Sequence, residues 1–313
     1  YEDVAPDDED TPAEQTSSEE AAPIDESPGL RMIIRDKQGT PRVAGSAHEL
    51  SEEDLEQFEY DDIERVLSAQ VPGVTTRGED GYGLRPNIGI RGANAERSAK
   101  VSLMEDGVLL APAPYAAPAA YYFPMSTRMV GLEVFKGPAA IRYGPNTVGG
   151  AINLITRPVP LTPELRIDLA GGLRQTGKVH IYGGTSWERG GLLIEGVHLR
   201  TAGFKTLPNG GPTGFSHSEA MAKAFWIPTP EHRLELKLGY AGETSYETYT
   251  GLSEQDYDTD PNARYAATSE GVMNFARSQA ELSWLASPGA WKVRTVAYGH
   301  SLDRAWTKLN GFE

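Results

Sequence analysis

The sequence predicts an α+β domain followed by a region of antiparallel β-strands, and three observations support this prediction. Short apolar runs separated by glycine and proline fill the stretch from about residue 39 to residue 158. After residue 161, apolar and polar residues alternate with a period of two, which is typical of strands with two different faces. The connections between these later strands alternate between short turns and long loops. We therefore divide the chain into a leader (1–38), a compact domain (39–158) and a strand region (159–313).

The leader is strongly acidic and poor in large apolar side chains. Residues 1–30 contain 11 acidic residues and no lysine or arginine, whereas the rest of the chain carries 33 acidic and 29 basic residues. Such a segment cannot bury enough apolar surface to offset the entropy of ordering it. We interpret it as a disordered tether that is either a solvated linker or a docking site for a basic partner. The net charge of -15 argues against nucleic acid as a partner.

The composition excludes several functional classes. The 313 residues include no cysteine, so a disulfide scaffold, a thiolate metal site and a cysteine nucleophile are all ruled out. The six histidines show no HExxH spacing, and the glycine-rich stretch 137–150 lacks the Gly-Lys-Ser/Thr of a phosphate-binding loop. We therefore expect no enzyme, no metal site and no covalently bound cofactor, although only geometry could exclude a Ser-His-Asp triad. No apolar run approaches the roughly 18 residues of a transmembrane helix, although alternating strands would escape that test.

Two helices and several strands are predicted in the compact domain. Ser51 precedes three acidic residues, which is typical of a capped helix start. A second helix is indicated by apolar residues at helical spacing within 63–67, and it ends before Pro72. Strand-length apolar runs follow at 88–90, 101–104, 108–110, 132–135 and 151–155. This succession predicts a small α+β domain.

Seven strands are predicted in the strand region. They lie near 164–172, 177–187, 191–202, 217–228, 231–242, 273–286 and 290–304. The clearest segment places Leu234, Leu236 and Leu238 on one face and Glu235 and Lys237 on the other. Short turns are predicted at 188–190, 228–230 and 287–289, and long loops at 203–216 and 243–272.

Two architectures fit these strands. An outer-membrane barrel has short turns at one end, long loops at the other, and strands of about ten residues. A soluble antiparallel sandwich also alternates, because one face of each sheet packs on the core. Aromatic residues near several strand ends favour the membrane, where they anchor at the interfaces. They are Trp187, Trp226, Tyr240, Trp291 and Trp306.

Four motifs between residues 45 and 158 resemble the plug domain of TonB-dependent outer-membrane receptors. They are 71–74 (VPGV), 87–92 (NIGIRG), 104–108 (MEDGV) and 132–156 (LEVFKGPAAIRYGPNTVGGAINLIT). Three further segments, 113–115 (APY), 248–252 (TYTGL) and 264–267 (RYAA), are similar to the ferric dicitrate branch of that family. The resemblance implies a plug that occludes a barrel of about 22 strands. It also implies import of a ferric chelate, such as ferric citrate or another siderophore.

The resemblance further implies a location and a set of partners. The protein is expected in the outer membrane of a Gram-negative bacterium, with the leader and the entry to the plug on the periplasmic side. Its partners would be outer-membrane lipid and TonB, which draws energy from ExbB and ExbD.

Seven strands cannot close a barrel, because their open edges would leave unpaired backbone groups in lipid. We therefore expect the remaining strands to come from a C-terminal segment or from a second chain. Two alternative functions stay open. One is a half-receptor that acts as a surface binding or assembly component with a second chain, and the other is a receptor for haem or cobalamin.

A TonB box is expected before the plug, as a short segment that adds a strand to TonB. The one aliphatic run in the leader is Met32, Ile33 and Ile34. Backbone pairing would supply the affinity of such a contact. The alternative is a simple strand at the entry to the plug.

Two arginines match family motif positions that lock the plug to carboxylates of the barrel wall. They are Arg91 and Arg142, and their partners would lie on strands outside this chain. The alternative is a salt bridge within the plug, for example with Glu133. Either interpretation requires a partner, because a buried unpaired guanidinium is costly.

Candidate ligand-binding residues follow from the anionic character of a ferric carboxylate complex, which cationic side chains should meet. In the plug these are Arg97, Lys100 and Tyr115, which correspond to outward loops of the family. In the long barrel loop they are Tyr249 and Arg264. The alternative is that these residues are solvated loop charges and aromatic interface anchors.

Overall fold

The computed structural model describes residues 45–57, 61–110, 116–144, 147–248 and 250–309. They form a five-stranded sheet, a two-stranded sheet and a seven-stranded antiparallel sheet. The predicted combination of an α+β domain with antiparallel strands is therefore confirmed. The predicted leader lies outside the described residues, and the domain limits at 38 and 158 stay predictions.

The α+β domain contains seven strands and two short helices. In chain order they are β1 (Ser46–Leu50), α1 (Glu52–Glu56), α2 (Ile63–Gln70), β2 (Val74–Arg77), β3 (Asn87–Ile90), β4 (Val101–Glu105), β5 (Val108–Leu109), β6 (Met129–Lys136) and β7 (Gly150–Thr156). The larger sheet has the order β1-β6-β7-β4-β5, in which only β4 and β7 run parallel. Strands β2 and β3 form a separate antiparallel pair.

Side-chain caps define the starts of both helices. At α1 the Ser51 hydroxyl accepts from the Asp54 amide at 3.3 Å, and the Asp54 carboxylate accepts from the Ser51 amide at 2.8 Å. At α2 the Asp62 carboxylate accepts from the Glu64 amide at 2.8 Å. Such a cap is worth about 1 kcal/mol, because it satisfies amides that have no partner within the helix.

The core of the α+β domain lies between α2 and the larger sheet. Leu67 of α2, Leu103 of β4 and Ile152 of β7 are all fully buried within it. All residues of β6 and β7 are buried, which explains why these strands read as continuous apolar runs rather than alternating ones. Burial of each large aliphatic side chain contributes about 1.5–3 kcal/mol.

The strand region forms the seven-stranded antiparallel sheet, in which consecutive strands are neighbours. Its strands are β8 (Glu164–Gly171), β9 (Gly177–Trp187), β10 (Gly190–Thr201), β11 (Phe215–Thr229), β12 (His232–Ser245), β13 (Val272–Ala286) and β14 (Val293–Thr307). All seven predicted strands are present. Within the described residues, β8 and β14 each pair on one side only, so the sheet is open.

The two faces of this sheet show the opposite of the usual pattern in a soluble protein, because polar residues are buried and apolar residues are exposed. The face toward the α+β domain buries many polar residues, among them His180, Glu195, His217, Glu219, Lys237, Glu243 and Arg277. The opposite face exposes large apolar residues, among them Leu165, Ile181, Leu192, Ile194, Leu236, Leu238, Leu282 and Trp284. An exposed apolar face of this extent marks a surface that something other than water covers.

Two long loops join β10 to β11 and β12 to β13, both at the same end of the sheet. The second loop contains a short helix that the sequence did not predict, α3 (Glu254–Thr259). Its start is capped by Ser253, whose hydroxyl accepts from the Asp256 amide at 3.2 Å. None of the helices in the described ranges has the length and apolar character of a membrane span.

Candidate functional site

The α+β domain is held against the polar face of the seven-stranded sheet by buried ion pairs. The first centres on Arg128, which lies in a short 3-10 turn just before β6 and is 4% exposed. Its Nη2 lies 2.7 Å from Glu105 Oε2 of its own domain, and its Nε pairs with Glu219 of β11. The backbone amide of Met125 also donates to Glu219, at 2.8 Å.

A second buried arginine, Arg85, makes a similar contact with β12. The turn before it is fixed by Asp80, whose carboxylate accepts from the Arg85 amide at 3.0 Å. The Arg85 guanidinium pairs with Glu243 of β12, and its Nη1 lies 2.6 Å from Glu247 Oε1 just beyond that strand. The hydroxyl of Ser245 accepts from it at 3.2 Å.

A lysine of the sheet reaches in the opposite direction. Lys237 of β12 places Nζ 2.6 Å from Glu105 Oε1 and 2.6 Å from Asp106 Oδ2. Burial opposes ionisation of Glu105, but the charges of Arg128 and Lys237 outweigh it and hold the pKa of this carboxyl well below its usual range. The Glu105 carboxylate thus pairs both with an arginine of its own domain and with a lysine of the seven-stranded sheet.

Further ion pairs tie α1 and the turn after it to the first strands of the sheet. Arg157 lies 2.6 Å from Glu52 and stacks on the ring of Tyr182, with its guanidinium carbon 3.8 Å from the ring centroid. The other pairs are Arg166 with Glu56 at 2.6 Å and Lys178 with Asp61 at 3.0 Å. These pairs are more exposed to solvent than those of Arg85 and Arg128, so the loss of any one of them should change the stability less.

An aromatic contact joins the two bodies at the long-loop end of the sheet. The ring of Tyr82 packs 5.3 Å from Phe204 and 4.9 Å from Phe215, centroid to centroid. Its hydroxyl accepts from the Phe204 amide at 3.2 Å. The turn that carries Tyr82 is therefore wedged between the loop after β10 and the start of β11.

One carboxyl of the α+β domain is buried beside other acids. Glu64 of α2 accepts from the Asn87 amide at 3.0 Å and is 6% exposed. Burial raises its pKa to about 7, and the nearby charges of Asp62, Asp80 and Glu79 act in the same direction. Among the described residues, no group of three or more histidines and carboxylates is arranged to hold a metal ion.

A group of arginines and aromatic residues lies along β13 and β14. The Arg277 guanidinium lies 4.4 Å from the ring centroid of Tyr122, and that of Arg304 lies 4.7 Å from Tyr121. Arg277 is 3% exposed, and its Nε has no hydrogen-bond partner among the described residues. Arg97 is close enough to Arg304 for the two charges to repel. We call Arg97, Arg277, Arg304, Tyr121 and Tyr122 the arginine patch.

The structure places the predicted ligand residues in different settings. Arg97 and Lys100 are exposed, and Arg97 is held in a left-handed turn in which its amide donates to Asn87 Oδ1 at 2.7 Å. Tyr115 and Tyr249 lie outside the described residues.

Arg264, by contrast, is 3% exposed and braces its own loop. It donates to Thr268 Oγ1 at 2.9 Å and to the carbonyl oxygens of Tyr246 and Thr268. Any role for Arg264 in binding a ligand stays a prediction.

The two predicted lock arginines do not take part in the buried contacts. Arg91 and Arg142 are both exposed, and the Arg142 guanidinium lies 5.2 Å from the ring centroid of Tyr143. Within the described ranges neither arginine forms an ion pair, with Glu133 or with any other acid. Their lock to a barrel wall therefore stays a prediction. The TonB-box candidate, Met32, Ile33 and Ile34, lies outside the described residues.

Sequence reasoning missed Arg85 and Arg128, although part of the signal was present. Arg85 stands two residues before the 87–92 motif, and the alternation of β11 and β12 places Glu219 and Glu243 on the same face as Lys237. Charged residues on the inner face of two neighbouring strands predict charged partners in whatever packs there.

Comparison with known proteins shows what each of the two parts of this chain is similar to. Residues 41–151 match the family model described as the TonB-dependent Receptor Plug Domain. The α+β domain is thus a plug of the TonB-dependent receptor type, and the seven-stranded sheet resembles part of the barrel of such receptors. From here on we call the α+β domain the plug.

Two solved structures share the fold. The ferric citrate transporter FecA matches with a TM-score of 0.72 and 22% identity, over 86% of this chain and 41% of FecA. The ferric yersiniabactin uptake receptor FyuA from Yersinia pestis matches with a TM-score of 0.67 and 18% identity, over 86% of this chain and 43% of FyuA.

A curated relative matches in sequence as well. The vitamin B12 transporter BtuB of Photobacterium profundum is 24% identical over 261 residues, which are 80% of this chain and 40% of BtuB. The chain spans about two fifths of the length of each of these three proteins. They are named as transporters or receptors, which agrees with the prediction that this chain is not an enzyme.

Proposed function

We propose that this chain forms the plug and the first strands of a receptor that imports an anionic ferric chelate across the outer membrane, driven by TonB. The observation that carries the proposal is the pairing of two features. A plug is seated by buried charges on one face of the sheet, and the opposite face is apolar and exposed. A plugged transmembrane barrel combines a polar interior with an outward apolar band, whereas a soluble sandwich buries its apolar faces in the core.

The apolar face supports a lipid environment. Leu236, Leu238 and Leu282 are each more than two fifths exposed, yet they stand side by side on neighbouring strands. In water this arrangement would leave a contiguous apolar patch uncovered, whereas lipid covers it. We therefore place the protein in the outer membrane of a Gram-negative bacterium.

The remaining barrel and the energy source belong to the same proposal. The open edges at β8 and β14 need partner strands, because unpaired backbone groups are costly in lipid. Those strands would come from a C-terminal segment or a second chain. TonB, powered by ExbB and ExbD, would pull on the plug through the candidate box at Met32, Ile33 and Ile34.

The arginine patch supports an anionic ligand. Arg97, Arg277 and Arg304 form no ion pair among the described residues, although Arg277 is almost completely buried. Arginines without a carboxylate partner, one of them buried, are suited to an incoming anion, and the guanidinium fork matches carboxylate geometry. Lys100, Tyr115, Tyr249 and Arg264 complete the proposed ligand contacts, of which Tyr115 and Tyr249 lie outside the described ranges.

A binding measurement tests the ligand class. The protein in detergent would be titrated with ferric citrate, with a neutral ferric hydroxamate and with cyanocobalamin, with tryptophan fluorescence as the readout. We expect ferric citrate to bind most tightly and Arg97→Ala/Lys100→Ala to weaken it at least tenfold. Arg65→Ala, which changes an exposed arginine of α2, is the matched control. Unchanged citrate affinity in the double variant would remove the main support for an anionic ligand.

Cobalamin is the second candidate, and the sequence match to a vitamin B12 transporter favours it. Preferential binding of cyanocobalamin in the same titration would select it. Aromatic side chains such as Tyr121 and Tyr122 would then supply apolar contact for the corrin, and the arginines would matter little.

A further inference from the structure

One buried histidine of the sheet stands between the two arginines of the plug. His217 of β11 is 2% exposed, and the ring of Phe275 meets it edge-on at 5.7 Å. Its Nδ1 lies 3.0 Å from Glu243 Oε2, and its Nε2 lies 3.0 Å from Glu219 Oε1. Each ring nitrogen thus faces a different carboxylate.

The same two glutamates hold the plug. Glu219 pairs with Arg128, and Glu243 pairs with Arg85. A continuous line of side chains therefore runs from Arg128 through Glu219, His217 and Glu243 to Arg85. We call these five residues the histidine clamp. His217 is its centre and the one member of the five whose side chain, when free in water, changes charge near neutral pH.

Hydrogen-bond chemistry fixes the protonation state of His217 in this arrangement. An ionised carboxylate only accepts, so a ring nitrogen at hydrogen-bond distance from it must carry a proton. Both nitrogens of His217 meet this condition, whereas a neutral imidazole carries one proton and would leave one nitrogen lone pair against a carboxylate. The histidine therefore fits its site as an imidazolium.

The surrounding charges agree with this assignment. Each plug arginine is shared between two acids, Arg128 with Glu105 and Glu219, and Arg85 with Glu243 and Glu247. The carboxylates beside His217 are therefore not neutralised by arginine alone. Other polar groups act on clamp residues, namely Tyr122 and Lys237 near Arg128, Ser245 beside Glu243, and Asp80 near Arg85.

We propose that His217 is held as an imidazolium that joins the two plug arginines into one clamp, and so positions the plug on the sheet. Without its charge, two buried carboxylates would face each other across a neutral ring, and the segments around Arg85 and Met125 would loosen from the sheet. This role of His217 depends only on the contacts between the plug and the sheet, and it does not depend on which ligand is imported.

The protonation state can be measured directly. The protein would be labelled with ¹⁵N-histidine in lipid nanodiscs, and the ring nitrogens would be observed by NMR at pH 8. We expect both nitrogens of His217 to be protonated. His232 is the control, because its Nδ1 accepts from Trp284 Nε1 at 3.3 Å and must therefore be unprotonated. A bare nitrogen on His217 at pH 8 would overturn the proposal.

Variants test the positioning role through amide hydrogen exchange. His217→Gln should speed exchange around Arg85 and Met125 at least tenfold, whereas His232→Gln should leave it unchanged. His217→Gln/Glu243→Gln removes the excess negative charge and should recover most of the protection, while Arg85 keeps Glu247. Exchange as fast in the double variant as in His217→Gln would show that the charge of His217 does not matter, and would refute the clamp. If His217→Gln does not fold, the NMR measurement still decides.

Discussion

At the scale of single residues, the plug is seated by charges that water does not reach. Arg128 and Arg85 are both less than a tenth exposed, and each touches two carboxylates, of which at least one belongs to a strand of the sheet. A buried pair adds little over a well-packed apolar pair, but removal of one partner leaves an uncompensated charge. Such residues therefore matter most for how the plug is oriented.

Loss of Arg128 should be costly for this reason. Arg128→Ala leaves Glu105 and Glu219 buried, with Glu219 supported only by His217 and an amide, and we expect a loss of about 3–5 kcal/mol. Urea unfolding in lipid vesicles, followed by tryptophan fluorescence, measures it. Arg65→Ala, whose side chain is 69% exposed, should cost less than about 1 kcal/mol. Equal losses in the two variants would contradict a buried role for Arg128.

Glu64 makes the stability of α2 depend on pH. Its pKa is about 7 in the folded protein against an ordinary value of 4.5, so the folded state binds an extra proton between these values. The stability of this region should therefore fall as the pH rises from about 4.5 to 7.

Glu64→Gln keeps an acceptor for the Asn87 amide and cannot ionise. Amide exchange in α2 should be slower in this variant than in the natural protein at pH 8, and similar in both at pH 5. Glu53→Gln, at an exposed position of α1, is the control and should show no such difference. Faster exchange in this variant at pH 8 would show that the ionised carboxylate stabilises α2, and would contradict the predicted loss of stability as the pH rises.

At the scale of elements, strand alternation is the feature that sequence reasoning captured best. The seven predicted strands agree with β8–β14 to within three residues at every end, because apolar and polar residues alternate along much of each strand. Helix α3 was missed because its six residues carry no apolar stripe and depend on the Ser253 cap. The plug–sheet pairs were missed because Arg128 and Glu219 are 91 residues apart, and local patterns carry no information on which loop meets which strand.

The exposed apolar face distinguishes a membrane barrel from a soluble sheet. Leu238 is 46% exposed and points away from the plug, so Leu238→Arg would be nearly harmless if this face were open to water. On a lipid-facing strand near the midplane, the same change should cost about 2–4 kcal/mol. Folding into lipid vesicles, monitored by heat-modifiable gel mobility, measures the difference. Tyr257→Arg in the long loop is the control, and equal behaviour of the two variants would indicate that this face meets water rather than lipid.

At the scale of the whole molecule, the plug and the sheet form one arrangement with a polar interface inside and an apolar surface outside. A charged interface is compatible with the proposed transport, because charged contacts can be exchanged for contacts with water when water enters, whereas a wholly apolar interface would resist separation. The arginine patch joins Arg277 of β13 and Arg304 of β14 to the exposed Arg97 of the plug, and with Lys100 it would offer cationic groups to the proposed anionic ligand.

The most direct test of this account is uptake of ⁵⁵Fe-labelled ferric citrate by cells that produce this protein as their only candidate receptor for it. We predict uptake that requires both the protein and TonB, and that stops when TonB is inactivated although the chelate still binds to the cells. Uptake that persists without TonB would contradict the proposed mechanism. Binding that never leads to uptake, even with TonB present, would instead indicate a surface binding component that works with a second chain.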